Sequence, residues 1–490
     1  MSLTPEVAPN PLQAIASPPE KASIVELRLD RFPGIDVAAA VGACPLPLLA
    51  TLRSQAEGGE GPNDPQLRAV GLTRARDAGA ALLDLEFERD TILVDTLGLS
   101  PEQTILSWHD PSGTPANLPR IAEKMLASTA RWVKLVPSAN RLEDLTAVLE
   151  LHGALDHGRR HQRRLLAFAM GGPGLASRYL APLLGPPIGY AAWSDETPAA
   201  PGQISIDAID AVIGHLEGPP RRLYGVVGAD VSSSLSPVLH AAGYRDLGLP
   251  YLLLPISVPD AGELIDLFTT RGSTPFDRMG LDTHGWAVTT PYKASAAAAA
   301  DQHAPRVLRA AAANTLILEE HQIIAENTDA DGIVGSLITA GIDPQGRYAV
   351  VQGTGGAARG AAVGLHLAGA EVLLRGRSAE RTRATAEAIE IGWCDPEGKA
   401  ADRAILVNAT PVGFELGETG PFSSDEITGA VAVVDMVYAD HATGIISHAR
   451  ELGVPAIDGR EVLLHQGIAQ FAAFTQRVPP KESMRRALQS

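Results

Sequence analysis

The stretch "RWVKLVPSANRLEDL", residues 131–145, contains an apolar run, a polar turn and a second patterned segment. The run "RWVKLVP" is predicted to be a β-strand, and the residues after the turn are predicted to begin a helix. Lys134 stands inside the strand. Because a buried ammonium loses its hydration unless it meets a suitable partner, the position of Lys134 indicates a specific role.

The same order of strand, turn and helix repeats through the first half of the chain. The strand candidates are "IVELRLD" (24–30), "PLLATLR" (47–53), "ALLDLEFE" (81–88), "TILSWH" (104–109), "RWVKLVP" (131–137), "LLAFAMG" (165–171) and "PIGYAAW" (187–193). Such alternation predicts βα units on a parallel sheet, and their number indicates a (β/α)8-type barrel. The segment before "IVELRLD" is broken by prolines, so we expect the first strand of the barrel to be missing or unrecognisable.

The second half contains two further α/β series. The segment "EGPPRR" (217–222) reads as a domain junction, and the first series runs from "LYGVVG" at 223 to about 330. The next begins with "RYAVVQGTGGAARG" at 347, a strand and glycine-rich turn typical of a dinucleotide-binding unit. The alanine run at 294–300 is predicted to be helical.

Composition limits the partners of this chain of 490 residues. Its formal charge of −17 argues against nucleic acid as a general partner, so local arginines and lysines must hold any anionic substrate. The only two cysteines, Cys44 and Cys394, are too far apart for a metal or redox motif and fit a reducing compartment. No apolar run reaches the length of a membrane span, and no signal peptide is recognisable. We therefore expect a cytoplasmic protein with no metal, while its oligomeric state, including a homo-oligomer, stays open.

Charged residues follow successive strands of the predicted barrel at their C-terminal ends. They are Glu26, Arg28, Arg53, Glu57, Glu86, His109, Lys134 and Arg178. Each alone is most simply a surface charge, but this rim is where barrel enzymes assemble their active sites.

These residue types suit imine chemistry. An amine among apolar neighbours is kept neutral more readily, so Lys134 can attack a ketone. His109 can transfer protons while Glu57 orients its ring. Arg53 and Arg178 can clamp a substrate carboxylate.

Six ordered motifs between residues 24 and 203 resemble type I 3-dehydroquinate dehydratase. They are "VELRLD", "TLRSQAEGG", "SWHDPSGTP", "WVKL", "AMGGPGLASR" and "AAPGQ". The resemblance implies that Lys134 forms the imine, that His109 is the general acid and base, and that Glu57 is its partner. By the same resemblance Glu26, Arg28, Arg53, Arg178 and Gln203 bind the substrate. Ala199 departs from the serine usual in this family.

The second half carries a different set of polar residues. "YGVVGADVSSSLSPVLH" contains Ser234 and Ser236, and "WAVTTPYK" places Thr289 four residues before Lys293. Asn314 and Asp329 follow in "AAANTL" and "AENTDADG". Hydroxyls, an amide, a lysine and a carboxylate suit a polyhydroxy ligand with one proton to move.

These motifs resemble shikimate dehydrogenase across residues 223–475, with "VNATPVG", "VVDMVYADHAT" and "IDGREVLLHQGIAQF" extending the match. The resemblance implies that Lys293 and Asp329 form the catalytic pair. It also implies substrate contacts from Ser234, Ser236, Thr289, Asn314, Tyr438 and Gln466. Ser233, Ala330, Gly376 and Asp440 depart from the residues usual in this family.

The glycine turn "GTGGAARG" is weak alone, because it lacks the full G-x-G-x-x-G spacing, but it lies between a strand and a helix. At the end of the following strand, "LLRGRS" carries arginines in place of the acid that an NAD site prefers, which favours NADP. The predicted cofactor-binding residues are Gly353, Gly355, Gly356, Ala357, Arg377, Ser378 and Arg381.

The sequence thus predicts an α/β chain in which a dehydratase-like barrel precedes a two-lobed dehydrogenase-like unit. The predicted segments are 1–217 for the barrel, 222–330 for the substrate-binding domain, 331–456 for the Rossmann-type NADP domain and 457–490 for a helical return to the substrate domain. The resemblances imply 3-dehydroquinate, 3-dehydroshikimate and shikimate as small-molecule ligands. A quinate-preferring dehydrogenase, a non-catalytic metabolite-binding regulator and an aldolase-like barrel fused to an unrelated reductase are the alternatives.

Overall fold

The computed structural model describes residues 1–3, 10–158, 162–194, 202–398, 400–413, 418–439 and 441–489. The chain forms two compact units. The first comprises Met1–Arg221, Leu254–Asp260 and Met279–Leu281, and the second comprises Arg222–Leu253, Ala261–Arg278 and Asp282–Ser490. Ala199 and Asp440, two of the departures noted above, lie outside the described residues.

The first unit is built on a parallel sheet whose strands follow one another in chain order. Its strands within the described ranges are β1 Ser2–Leu3, β2 Val25–Arg28, β3 Leu48–Thr51, β4 Leu82–Glu86, β5 Thr104–Asp110, β6 Trp132–Pro137 and β7 Leu165–Ala167. Each strand pairs in parallel with the next, as βα units require. The predicted parallel, barrel-type sheet is confirmed.

Helices connect these strands and bury their apolar sides against the sheet. They are α1 Pro11–Ala16, α2 Val37–Ala43, α3 Pro65–Asp77, α4 Leu93–Thr96, α5 Leu118–Leu126, α6 Leu142–Leu155, α7 Leu175–Leu184 and α8 Ile206–Ile213. The start of α3 is set locally, because the Asp64 carboxylate accepts from two backbone amides and Pro65 occupies the first turn. Leu72 and Ala75 on this helix are fully buried in the core of the unit.

Two strand predictions need correction. The first strand is present as β1, where Ser2 pairs with Glu26 and Leu3 with Leu27. Two residues are too few to show a periodicity, and this is why the pattern failed to reveal them. The stretch 187–193 is not a strand of the sheet but makes two isolated parallel bridges, from Ala192 to Ser2 and from Ala192 to Ser205.

The next sheet is mixed, with the order β11-β13-β12-β10-β8-β9. Its strands are β8 Arg222–Gly228, β9 Tyr251–Ser257, β10 Thr283–Val288, β11 Gln302–His303, β12 Thr315–Leu318 and β13 Ile323–Glu326. Its helices are α9 Ser236–Asp246, α10 Leu264–Leu267, α11 Pro275–Arg278, α12 Lys293–Ala299, α13 Pro305–Ala310 and α14 Asp329–Thr339. The alanine run is helical in α12, as predicted.

The last sheet is parallel, with the order β16-β15-β14-β17-β18-β19, which is the strand order of a Rossmann fold. Its strands are β14 Tyr348–Gln352, β15 Glu371–Arg375, β16 Gly392–Trp393, β17 Ile405–Asn408, β18 Ala432–Asp435 and β19 Ala456–Ile457. Its helices are α15 Gly356–Leu367, α16 Ala379–Ala388, α17 Ser424–Gly429 and α18 Gly444–Glu451. The predicted Rossmann-type unit is confirmed.

Two C-terminal helices, α19 Gly459–Thr475 and α20 Lys481–Ala487, complete the second unit. Phe471 of α19 and Met484 of α20 are fully buried in one cluster with Tyr224 of β8 and Leu239 of α9. The C-terminus therefore packs on the sheet that begins at β8.

Both cysteines are free thiols. Across the described ranges, no helix is long and apolar enough to span a bilayer. In that same part of the chain, no cluster of His, Cys, Asp or Glu side chains is suited to hold a metal ion.

Candidate active sites

A cavity of about 410 Å³ opens at the C-terminal ends of the strands of the first unit. It is the meeting point of residues spread over most of that unit, as the geometry of parallel strands requires. All eight residues predicted for this half line it: Glu26, Arg28, Arg53, Glu57, His109, Lys134, Arg178 and Gln203.

Lys134 lies in β6 with only 5% of its surface exposed. Its Nζ donates to Oδ2 of Asp84 at 3.1 Å and lies 4.0 Å from the ring centre of Tyr190. Although burial alone would raise the pKa of Asp84, Arg53 and Lys134 hold it well below its usual value. The predicted apolar strand neighbours of this nitrogen are thus accompanied by a buried carboxylate.

His109 is held by Glu57. The Oε2 atom of Glu57 accepts from the backbone N–H of His109 at 3.0 Å and lies 2.9 Å from Nδ1. These two contacts fix the orientation of the ring. Burial, with the positive charges of Arg53 and Lys134, holds the pKa of His109 well below its usual value. The ring is therefore a neutral imidazole in a fixed orientation.

Burial has the opposite effect on Glu57. It raises the pKa of this carboxyl to about 8, and Arg53 and Arg89 offset only part of the rise. Arg89 donates to Oε1 of Glu57 at 3.1 Å. The sequence patterns did not single out Arg89, which follows β4 on a turn.

Arg53, predicted to clamp a substrate carboxylate, has carboxylate partners within the protein. Its guanidinium contacts Glu57 at 3.1 Å, Asp84 at 3.0 Å and Glu86 at 3.2 Å. It also donates to the Ser107 hydroxyl at 3.0 Å. Its donors are thus used to hold the carboxylates of this cavity together.

The other two arginines differ from Arg53. Arg28 forms a two-point ion pair with Asp30, with distances of 2.8 and 2.6 Å. Arg178 lies 5.1 Å from the ring centre of Phe168, and burial lowers its pKa to about 10. An anion beside Arg178 would replace the solvation that burial removes, so this side of the cavity suits a carboxylate.

Glu26 lies on β2, near the other end of the sheet, and hydroxyl groups surround its carboxylate. Ser2 and Thr51 both donate to its carboxylate, the latter at 2.8 Å, and Gln203 donates to Ser2 at 3.2 Å. Burial would raise the pKa of Glu26, but Lys134 and Arg28 outweigh it and lower the pKa. Glu26 is therefore an ionised acceptor suited to substrate hydroxyls.

Sequence reasoning missed Ser2 and Tyr190, which line this cavity, and Asp84, which contacts Lys134 from β4. A signal existed for Asp84, because it stands two residues before Glu86 in "ALLDLEFE" and so shares its face of β4. No comparable signal existed for Ser2 and Tyr190, because their segments pair with neighbouring strands through only one or two residues.

A second cavity, of about 450 Å³, lies in the second unit. All eight residues predicted as catalytic or substrate-binding in this half line it: Ser234, Ser236, Thr289, Lys293, Asn314, Asp329, Tyr438 and Gln466.

Lys293 and Asp329 form a buried ion pair in this cavity. Lys293 begins α12 and Asp329 begins α14, and Nζ lies 2.6 Å from Oδ2. The Asn314 amide donates to Oδ1 of Asp329 and to Oε1 of Gln466, both at 3.0 Å. Lysine and carboxylate are therefore fixed by a neighbouring amide, as a proton-handling pair requires.

Tyr438 lies on the loop after β18, and an additional acid, Asp435, is the last residue of that strand. Burial raises the pKa of Tyr438, while a hydrogen bond with the Ser234 hydroxyl opposes the rise. Asp435, which sequence reasoning passed over, accepts from Thr443 at 2.6 Å and from Asn408 at 3.1 Å. It thereby ties the loop bearing Tyr438 to the end of β17.

The glycine turn after β14 brings α15 against Lys293. Gly353 has φ +128°, a conformation that favours glycine. A Cβ at Gly356 would lie 2.8 Å from Cβ of Lys293, so this approach needs a glycine. Gly355 caps α15, and Ala357 is the predicted cofactor residue that lines the cavity.

The other predicted cofactor residues lie at the end of β15. Ser378 caps α16 by accepting from the backbone of Arg381 at 3.3 Å, and Arg377 and Arg381 are exposed. Nearby, Nε of Arg359 is buried with no hydrogen-bond partner among the described residues, and burial and Arg381 lower the pKa of Arg359. This uncompensated positive charge beside a helix start fits a phosphate-bearing dinucleotide.

Together, fold and cavities define a chain with two enzyme-type units, a barrel with a buried lysine and a Rossmann-type dehydrogenase. Residues 5–218 match the family model of type I 3-dehydroquinase. Residues 226–316 match the shikimate dehydrogenase substrate binding domain, and 459–489 match the shikimate 5'-dehydrogenase C-terminal domain. The chain belongs to the shikimate dehydrogenase family, joined in its first half to a type I 3-dehydroquinase.

Similar proteins cover one or both halves. A shikimate dehydrogenase (NADP(+)) of Halobacterium salinarum is 36% identical over 55% of this chain and 98% of its own. A chloroplastic bifunctional 3-dehydroquinate dehydratase/shikimate dehydrogenase of Arabidopsis thaliana is 26% identical over 94% of this chain and 79% of its own. The solved dehydratase and dehydrogenase structure from S. pombe is 23% identical, covers 98% of this chain and 96% of its own, and has a TM-score of 0.45.

Proposed function

We propose that this chain catalyses two consecutive reactions. The first dehydrates 3-dehydroquinate to 3-dehydroshikimate through an imine on Lys134, and the second reduces that ketone to shikimate with NADPH. One observation carries the proposal: each of two cavities gathers its whole predicted residue set around a buried lysine. The proposal assigns the first reaction to residues 1–217 and the second to 222–490.

In the first reaction Lys134 is the nucleophile. Its Nζ forms a bond to the ketone carbon, and the carbonyl oxygen leaves as water, which gives a protonated imine. The imine withdraws electrons from the adjacent C–H bond, so His109 can remove that proton and pass it to the departing hydroxyl. A second water then hydrolyses the product imine and restores the amine. Glu57 keeps the His109 ring in one orientation throughout.

Substrate recognition follows from the charges around this lysine. Arg178 suits the carboxylate of the substrate, while Glu26, Arg28 and Gln203 suit its hydroxyls. Arg53 keeps Glu57, Asp84 and Glu86 in place.

In the second reaction NADPH, when bound, supplies the hydride. Lys293 donates the proton that the new hydroxyl needs, and Asp329 holds and recharges this lysine. Ser234, Ser236, Thr289, Asn314, Tyr438 and Gln466 surround the ligand with donors and acceptors. The glycine turn at 353–357, the charges of Arg377 and Arg381 and the hydroxyl of Ser378 would hold the phosphates of the cofactor.

The proposal favours shikimate over quinate because Ser234 and Ser236 are both retained in the cavity. Comparing turnover of shikimate and quinate decides between them.

Each cavity contains a lysine paired with a carboxylate, Lys134 with Asp84 and Lys293 with Asp329. These pairs favour an enzyme over a non-catalytic regulator. The two free cysteines and the acidic composition favour a cytoplasmic protein that binds no nucleic acid. Light scattering will decide whether it is a homo-oligomer.

One assay tests the assignment. Purified chain is given NADPH with either 3-dehydroquinate or 3-dehydroshikimate as the starting substrate, and both 3-dehydroshikimate and shikimate are measured, so that each step is followed by itself. We expect Lys134→Ala to abolish the first step alone and Lys293→Ala to slow only the second, on the order of a hundredfold or more. Borohydride should add the mass of the ligand to the peptide containing Lys134. Loss of both steps on one substitution, or labelling of another peptide, contradicts the proposal.

A further inference from the structure

We propose that Tyr190 is a further catalytic residue of the first cavity. Its ring face seats the Lys134 nitrogen, and its hydroxyl donates a hydrogen bond to the oxygen that leaves the substrate ketone as the imine forms. This inference rests on the imine chemistry proposed above and adds a residue to it.

The ring of Tyr190 contacts the reacting atom directly. Nζ of Lys134 lies 4.0 Å from the ring centre, a distance at which the negative face of an aromatic ring attracts a cation. The ring is itself positioned by Phe168, whose centre lies 6.1 Å away at an interplanar angle of 33°. Ring and Asp84 therefore both hold this nitrogen, one through its π-face and one through an ion pair.

The hydroxyl of Tyr190 is a hydrogen-bond donor that a ligand could use. Its oxygen is buried, and within the described part of the chain it has no hydrogen-bond partner. Tyr190 lines the cavity, so a ligand that enters there can supply the acceptor. Burial, with the negative charges of Asp84 and Glu26, raises the pKa of Tyr190 well above its usual value. The phenol therefore keeps its proton over the working pH range.

The location of this donor matches one step of the reaction. When Nζ adds to the ketone carbon, nitrogen and oxygen are bonded to the same carbon. A hydroxyl at the edge of a ring seated on Nζ can therefore reach that oxygen. The oxygen leaves as water with two protons taken from the Lys134 ammonium, which the neutral His109 relays to it, while Tyr190 donates a hydrogen bond and keeps its own proton. Ketone, amine and one proton thus give protonated imine and water.

Rapid-quench trapping tests the role of the Tyr190 ring and the role of its hydroxyl. The full chain is mixed with 3-dehydroquinate and quenched with borohydride at increasing times. The fraction of the Lys134 peptide that carries the mass of the ligand is then measured by mass spectrometry. Tyr190→Phe keeps the ring and removes the hydroxyl, and we expect imine formation to slow on the order of tenfold. Tyr190→Leu removes both and should be slower still. Tyr179→Phe makes the same change on α7, outside the cavity lining, and should match the unaltered protein.

A second readout separates a chemical role from a structural one. A fluorinated tyrosine at position 190 keeps the size of the residue but ionises at lower pH, so the rate of imine formation should fall at the pH where that phenol loses its proton. The dehydrogenase step of each protein, measured alongside, reports whether the chain is folded.

The outcomes are distinguishable. If the unaltered chain is not trapped at Lys134, the proposed function fails. If it is trapped and Tyr190→Phe is trapped equally fast, with an unchanged pH profile for the fluorinated protein, the role of the hydroxyl is refuted. Equal rates for Tyr190→Phe and Tyr190→Leu would refute the role of the ring.

Discussion

At the scale of single residues, Glu57 links catalysis to stability. Folding raises its pKa from 4.5 to about 8, so the folded protein binds this proton more tightly than the unfolded chain. Below the lower value both states hold the proton. As the pH rises from 4.5 through 8 the unfolded chain releases it first, and the free energy of unfolding falls.

Glu57→Gln should therefore have two effects. Because glutamine has no proton to release, the variant should gain stability over the unaltered protein between about pH 4.5 and about pH 8. The dehydratase rate should fall by about tenfold to a hundredfold, since His109 loses the carboxyl group that orients its ring. Thermal denaturation near pH 5 and near pH 9 measures the first effect, and initial rates measure the second.

Glu60→Gln is the matched control for this change. Glu60 stands in the same turn but is exposed and pairs with Arg31 at 3.1 Å. Its substitution should alter neither the pH dependence of stability nor the rate. A pH-independent difference between Glu57→Gln and the unaltered protein would contradict the buried, proton-binding state of Glu57.

Arg53 marks the limit of what residue patterns can predict. Its place at the rim followed from "PLLATLR" and the strand ends, and the structure puts it in the cavity. Its partners did not follow, because Asp84 and Glu86 come from β4 and Glu57 from the turn after β3. Which carboxylates share an arginine depends on strand register and side-chain direction, and a period of two along one strand encodes neither.

At the scale of elements, the start of α16 should set the choice of cofactor. Arg377 and Arg381 lie where β15 ends, close to the buried and unpartnered Nε of Arg359. NADPH carries a phosphate on its adenosine ribose that would neutralise this positive charge, whereas NADH has no phosphate at that position.

Arg381→Ala should thus weaken NADPH binding on the order of tenfold and leave NADH binding unchanged. Fluorescence titration with each dinucleotide measures this without turnover. Arg383→Ala removes an exposed arginine of the same helix that pairs with Glu387 at 2.8 Å, and it should change neither affinity. If Arg381→Ala weakened the binding of NADPH and NADH equally, the phosphate on the adenosine ribose would have to bind elsewhere.

The elements that the sequence predicted well are those with enough residues to show a period. Strands β2 to β7, the helix α12 and the unit around β14 and β15 all came from runs of this kind. β1 has two residues, and 187–193 pairs only through the single residue Ala192, so neither has a period to detect. Yet these two places bring Ser2 and Tyr190 into the first cavity. The residues missed in the site are thus largely those on elements too short to predict.

At the scale of the whole molecule, the chain contains two complete residue sets, one in each unit. The residues lining the first cavity all belong to Met1–Arg221, and those lining the second all belong to the other unit. No residue lines both cavities among those described. Each reaction should therefore proceed on a chain whose other site is inactive.

Mixing Lys134→Ala chains with Lys293→Ala chains should then restore the whole conversion. The Lys293→Ala chain makes 3-dehydroshikimate, which leaves into solution and is reduced on the Lys134→Ala chain. NADPH consumption should show a lag that shortens as the concentration of both chains rises, because the intermediate must accumulate before the second site is supplied. Each variant alone, given 3-dehydroquinate, should consume NADPH at a small fraction of the rate of the mixture. A mixture no faster than the variants alone, although each performs its own remaining step, would mean that the intermediate reaches the second site only from within the same chain.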